Sequence, residues 1–457
     1  MNSSPAALVT RRERWLLATI ALAPLALFAL VRILGYTGFL KLGALAAVAL
    51  AGATTAFVRP RWGMWFIVFY VFAGLSYYFP VNVAGILTFV VLAAALLGLM
   101  RGGENRLGEP LFLYANALFA LIAIGSLLFA RDLPAGFREF GVYVKAVILT
   151  YLVVQLVRTP DDLRRLMYII FAGGLATVVL GAINLVFGIR GTGESFVGEG
   201  VLRFQSTHAN ANRAAAFMCM TLPMGLFALK QGNRWLRVPV VVAIIAIIVG
   251  IFATFSRSVV FSLSFIIVAV LVHEVRSKRL YVGMVMVLAV AILLAPRMYW
   301  QRIVGLQEAF ETTTVDWSVY TRLLAMRTAW ELSLAHPLTG VGIGNFLASS
   351  AYKLFLRIPV HNSYLEILVS TGVFGLLTYV MILLSGVRHS LAGARRRWKR
   401  YPEWMRSASF YCALSALSIM ISQMFATMPF RHPVWVPVAI GLVIGNLLRQ
   451  DQVPQDA

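Results

Sequence analysis

Two arginines, a histidine and a glutamate stand where apolar runs meet loops. Arg203 lies in Leu202-Arg203-Phe204-Gln205-Ser206-Thr207, just ahead of Asn210, Asn212 and an apolar run from Arg213. Arg257 lies in Thr254-Phe255-Ser256-Arg257-Ser258, at the tip of a tight hairpin between two apolar runs. A guanidinium at such depth either snorkels to lipid phosphate or faces a polar cavity, where it marks a function. Its planar fork suits bidentate phosphate contact, so the pair points to a phosphorylated or diphosphate lipid. His361-Asn362-Ser363-Tyr364-Leu365-Glu366 opens another apolar run directly after the longest loop. An imidazole titrates near working pH and is a natural general base. Asn362 or Ser363 equally reads as a helix cap. Glu366 falls inside the run, where an acid is expensive and either orients a neighbour or pairs with an arginine. His336 and His432 each precede a proline and read as turn residues, while His208 is open to both readings.

Other motifs exclude chemistry. Gly340-Val341-Gly342-Ile343-Gly344 has no strand before it and no Gly-Lys-Ser/Thr after it, so it is a flexible turn between short helices, not a nucleotide loop. The chain has no His-x-x-x-His, no Cys-x-x-Cys, no clustered carboxylates and no Gly-x-Ser-x-Gly elbow, so neither a dedicated metal site nor a serine hydrolase is expected. Cys219 and Cys412 lie far apart in apolar runs and form no disulfide framework.

The elements that must hold these residues follow from composition. Of 457 residues, 60% are hydrophobic and 13% charged, and mean hydropathy is +0.81. A soluble chain carries about 25% charged residues, so a polytopic membrane protein is expected. Apolar runs fall near 15–34, 42–58, 62–80, 82–100, 111–130, 142–157, 166–187, 213–229, 238–255, 258–273, 280–296, 362–386, 407–427 and 433–449. By length these give about 12–14 transmembrane helices in an all-α fold. The first run follows Arg11-Arg12-Glu13-Arg14 without a small-residue cleavage site and reads as an uncleaved helix.

The net charge of +22 would suggest nucleic acid in a soluble protein, but here the basic residues sit in short clusters between apolar runs. With both termini in the cytoplasm, every short cytoplasmic loop holds at least two of them, and no nucleic-acid partner is needed. Two longer segments then face outward, 188–212 and 297–360. In the second, Leu323, Met326, Trp330 and Leu334 share one helical face, the pattern of an amphipathic helix lying on the bilayer. No internal repeat or low-complexity linker divides the chain, so 1–457 reads as one membrane domain with an external cap.

At this point the sequence resembles a family. His336-Pro337-Leu338-Thr339-Gly340-Val341-Gly342-Ile343-Gly344-Asn345-Phe346, then His361 to Glu366, then Thr371-Gly372-Val373-Phe374-Gly375-Leu376, are similar to the signature of the O-antigen ligase and polymerase superfamily. The Ser256-Arg257 hairpin and the stretch from Arg203 to Asn212 fit the same pattern, although His208-Ala209-Asn210-Ala211-Asn212 stands where a Gly- or Pro-containing stretch is expected. The resemblance implies a GT-C-like fold with a helical periplasmic cap in the bacterial inner membrane, its active site at the periplasmic face. It implies transfer of a glycan from undecaprenyl diphosphate to a hydroxyl, inverting, with no metal or cofactor. Arg203 and Arg257 would then hold the diphosphate, with Arg322 a further cation, and His361 would be the base, supported by Asn362 and Glu366. An O-antigen ligase acting on lipid A-core is the first reading. A Wzy-type polymerase, whose acceptor is another lipid-linked repeat, is the alternative. A flippase is the third, but it should show inverted repeats and discontinuous helices, and the sequence displays neither.

Overall fold

A computed structural model describes residues 53–77, 83–187, 193–195, 202–204, 208, 210–232, 234–256, 259–274, 317–354, 358–394 and 402–450. The chain is a helical, polytopic membrane protein. Its described helices are α1 Pro60–Phe72, α2 Val83–Met100, α3 Pro110–Ser126, α4 Leu133–Leu156, α5 Pro160–Val186, α6 Ala211–Gln231, α7 Arg237–Ala253 and α8 Val259–Glu274. After them come α9 Trp317–Ala335, α10 Phe346–Leu354, α11 Ser363–Ala394, α12 Glu403–Ser422 and α13 His432–Gln450. Among the described residues, seven helical segments are long and apolar enough to cross a membrane, and α7 and α8 are shorter apolar helices. Each expected run from 62–80 onward coincides with a described helix, apart from 280–296. The runs 15–34 and 280–296, and 297–316 of the long loop, lie outside the described residues.

One element departs from the all-α expectation. Within 188–212, β1 Gly193–Ser195 pairs antiparallel with β2 Leu202–Phe204, placing Glu194 opposite Arg203. Three-residue strands carry too little periodicity to be read from a sequence.

Helix starts follow local chemistry. Asp132 caps α4 by accepting the Ala135 N–H at 2.9 Å, and Thr159 and Asp162 form a capping box on α5. Proline in the first turn of α1, α3, α4 and α5 forgoes a donor that has no intrahelical partner there. Small residues then let helices approach. A Cβ on Gly441 would stand 2.0 Å from the Gly386 carbonyl oxygen, so α11 and α13 cross almost backbone to backbone. Between them and α3–α4 lies an aromatic cluster of Phe119, Tyr143, Tyr379, Phe430 and Trp435.

Successive helices run between two ends. One, the basic end, brings together Arg106, Arg158, and Arg388 on α11. The other, the loop end, gathers the β-pair, α9, α10 and the α12–α13 connection. On α9, Ala325 and Ala329 are buried while Leu323, Trp330 and Leu334 are exposed. Leu323, Trp330 and Leu334 thus share the outward side with the exposed Arg327–Glu331 ion pair, and Met326 is half-buried at its margin.

Candidate functional site

The site is built around the start of α11. Asn362 caps that helix, its Oδ1 accepting the N–H groups of Tyr364 (2.9 Å) and Leu365 (3.0 Å). Ser363 has different work: its hydroxyl donates to the Ala426 carbonyl at 2.6 Å and accepts the Met428 N–H at 2.9 Å. Its own N–H donates to the Gln423 carbonyl at 2.8 Å. These bonds fasten the helix start to the α12–α13 connection. His361, just before them, has φ +58°, a left-handed backbone that few non-glycine residues adopt and that strain-tolerant functional sites often hold.

Nine residues into α11, Gly372 (φ 74°, ψ −175°) breaks the helix. The carbonyls of Val369 and Ser370 accept the N–H groups of Val341 (2.9 Å) and Gly342 (3.0 Å), and the Val373 N–H donates to Pro337 at 2.8 Å. A Cβ on Gly340 would lie 2.4 Å from the Ser370 carbonyl, and one on Gly372 would lie 2.3 Å from the Leu338 oxygen. Two expectations change here. The glycine run is pinned rather than flexible, because its amides complete a broken helix. A discontinuous helix is present after all, but the loop takes up backbone groups that a transporter would leave for an ion.

The same loop reaches α4. Asn345 Oδ1 accepts the Asp132 N–H at 2.7 Å, its Nδ2 donates back to the Asp132 carbonyl at 3.1 Å, and the Ile343 N–H donates to Ser126 Oγ at 3.0 Å. Gly344 has φ +70°, and a Cβ there would stand 2.8 Å from Glu139 Cβ. Glu139 thus lies against the glycine loop.

Charged groups from five elements act on one another at this end. His361 lies in the fields of Arg322 on α9 and Arg213 in the first turn of α6, whose N-cap Asn210 accepts the Arg213 N–H at 3.1 Å. Glu139 lies in the fields of Arg431, Arg138 and Arg213, and Glu366 in that of Glu139. Glu366 accepts a 3.4 Å hydrogen bond from Ser370 Oγ. Burial first, then Arg322 and Arg213, lowers the His361 pKa to about 4. At neutral pH its ring is therefore uncharged and free to accept a proton. Among the described residues, no three His, Cys, Asp or Glu side chains come together as a metal site.

Of the residues expected from sequence, His361, Asn362, Glu366 and Arg322 converge here. Arg203 is described only as a residue of β2, and Arg257 lies outside the described residues. His208 lies 3.4 Å from Thr177 Oγ1 and edge-on to Phe217, and burial lowers its pKa to about 4. Arg213, Glu139 and Arg431 were missed. Arg213 follows a helix-capping Asn at the loop end, as Glu366 does, and that parallel is the signal that could have found it. Glu139 fell just ahead of the run read as 142–157, although an acid within α4 is costly enough to mark function.

A helical membrane bundle with a histidine beside arginines at one end defines a class: a polytopic membrane protein with a charged site at one end of its bundle. Residues 241–380 match the family described as O-antigen ligase, and the match supports membership of the O-antigen ligase and polymerase superfamily, a group of glycosyl-transfer enzymes. The matched segment contains Arg257, Arg322, His361 and Glu366, whereas Glu139, Arg213 and Arg431 lie outside it. No curated protein matches the chain.

Proposed function

We propose that this protein transfers a glycan from undecaprenyl diphosphate to a hydroxyl acceptor at the periplasmic face of the bacterial inner membrane, as an O-antigen ligase acting on lipid A-core. The reading is supported by the match of residues 241–380 to the O-antigen ligase family and by His361, held in a left-handed backbone at the start of α11 with Arg322 and Arg213 acting on its ring. The lipid diphosphate is already a good leaving group, so the protein must hold it and activate the acceptor. Arg213 and Arg322 hold the diphosphate, with Arg203 and Arg257 added on the sequence pattern. The acceptor oxygen attacks the anomeric carbon while the bond to the diphosphate oxygen breaks. The hydroxyl proton passes to His361, and the diphosphate leaves with the bonding pair, inverting the anomeric centre. The positive-inside rule puts the basic end, and both termini, in the cytoplasm.

Deleting the gene and resolving lipopolysaccharide on a gel tests the acceptor. Bare lipid A-core with polymer retained on the lipid carrier is the expected result. Core carrying a single repeat would make the protein a polymerase, and an unchanged ladder would overturn lipopolysaccharide as the product. With purified components, transfer is expected to persist in excess EDTA.

A further inference from the structure

His361 stands at a junction between two packed regions. Val360, just before it, is fully buried in a small apolar core with Ala325 and Ala329 of α9, Phe346 of α10 and Val369. The helix that follows, α11, sends Ile367 and Tyr379 into the larger core of the bundle. Between the two the chain turns through a left-handed backbone, with φ +58° at His361. An L side chain disfavours that conformation sterically, so it persists only where the flanking residues are held.

Ser363 does the holding on the α11 side. It is fully buried, and its hydroxyl works in both senses, donating to the Ala426 carbonyl at 2.6 Å and accepting the Met428 N–H at 2.9 Å. Its own N–H donates to the Gln423 carbonyl at 2.8 Å. Three bonds thus reach the α12–α13 connection from a point two residues beyond His361. Asn362 does something different: it bonds to Tyr364 and Leu365 inside α11 and starts the helix without anchoring it. A separate tie comes from the Tyr364 hydroxyl, which donates to the Met420 carbonyl of α12 at 2.9 Å. That bond does not depend on the Ser363 hydroxyl, so its loss loosens the junction and leaves α11 docked.

A base works when its ring is held in line with the proton it takes, and a small misplacement forfeits much of the rate. The backbone at His361 sets the direction in which the imidazole leaves the chain.

We propose, on the reading of His361 as the base, that Ser363 is a positioning residue for transfer, its hydroxyl clamping the first turn of α11 to the α12–α13 connection and so fixing the left-handed backbone that directs the imidazole. It acts through His361.

The test is a double-mutant cycle on the full-length protein in detergent, with the lipid-diphosphate donor and its acceptor and with rates taken per folded molecule. Ser363→Ala should lower kcat by about ten- to hundredfold and leave the donor KM within about twofold. In a His361→Ala background the same change should lower the residual rate by less than about twofold, because the group it positions is gone. A merely structural serine gives the same fold loss in both backgrounds. That result overturns the proposal, as does a wild-type kcat in Ser363→Ala. Should Ser363→Ala fail to accumulate, Ser363→Cys fills similar space with a weaker donor and acceptor and is taken through the same cycle under the same criteria. If His361→Ala itself keeps wild-type turnover, the base reading falls and takes this inference with it. If His361→Ala is impaired while the Ser363 variant is not, or the two losses are independent, the inference alone falls.

Discussion

Each end of the bundle sets acid, arginine and histidine together, and the two arrangements do different things. At the basic end Glu109 is 4% exposed and touches two arginines, Arg388 and Arg449, with the His389 ring hydrogen-bonded to it at 3.0 Å from Nε2 to Oε2. The Asn446 amide and the Gln155 side chain bond the neighbouring chain at Arg106 and Glu104. One carboxylate thus ties the start of α3 to α11 and α13. At the loop end, Glu139 and Glu366 lie in the fields of Arg138, Arg213, Arg322 and Arg431, so that among the described residues there, with His361 neutral, the arginines outnumber the acids. Charges in mutual contact make a latch, whereas an excess of cations sharing a field leaves room for an anion.

The sharpest way to break this contrast is to exchange the roles of the histidines. His361→Ala should lower transfer by about 10²–10⁴-fold, the usual contribution of positioned proton abstraction, while the protein inserts normally. His389→Ala should leave transfer within about twofold, since its partner is structural. Equal losses in the two variants, measured as initial rates on purified protein, would erase the distinction.

A second variant probes the latch. Glu109→Gln removes the buried counter-charge of two half-exposed arginines and should lose about 1 kcal/mol of stability, read as a lower unfolding temperature in detergent. Turnover per folded molecule should hold. Reduced turnover at unchanged stability would mean that the basic end takes part in the reaction.

The smallest effect lies in the pH profile. His361 acts when neutral, so activity falls as pH drops through its pKa. Free of donor, that pKa is lowered to about 4, by burial and then by Arg322 and Arg213. A bound diphosphate offsets those two charges and lets the pKa rise. The acid limb of kcat/KM, which reports the free enzyme, should therefore lie at lower pH than that of kcat, which reports the complex. Coincident limbs would show that the arginines and the histidine do not share a ligand.

The helices themselves were legible from the chain. Their apolar runs are long, and the signals at their starts are local: Asp132, Thr159 and Asn210 each cap the residues immediately following. His361 and Glu366 stood out for the same reason, because a titratable group beside or inside an apolar run is conspicuous without any knowledge of folding. What the chain does not display is adjacency between distant segments. Glu139, Arg213, Arg322, His361 and Arg431 span nearly three hundred positions, and only helix packing sets them side by side. The glycine run shows the same divide. Its positive φ angles are a turn chemistry readable locally, but its duty of completing the break at Gly372 depends on hydrogen bonds between remote backbones. Residue type and local spacing thus determined which groups are chemically capable and which segments cross the membrane. The tertiary structure decided which of those groups share a field, because electrostatic coupling depends on distance in space and not on distance along the chain.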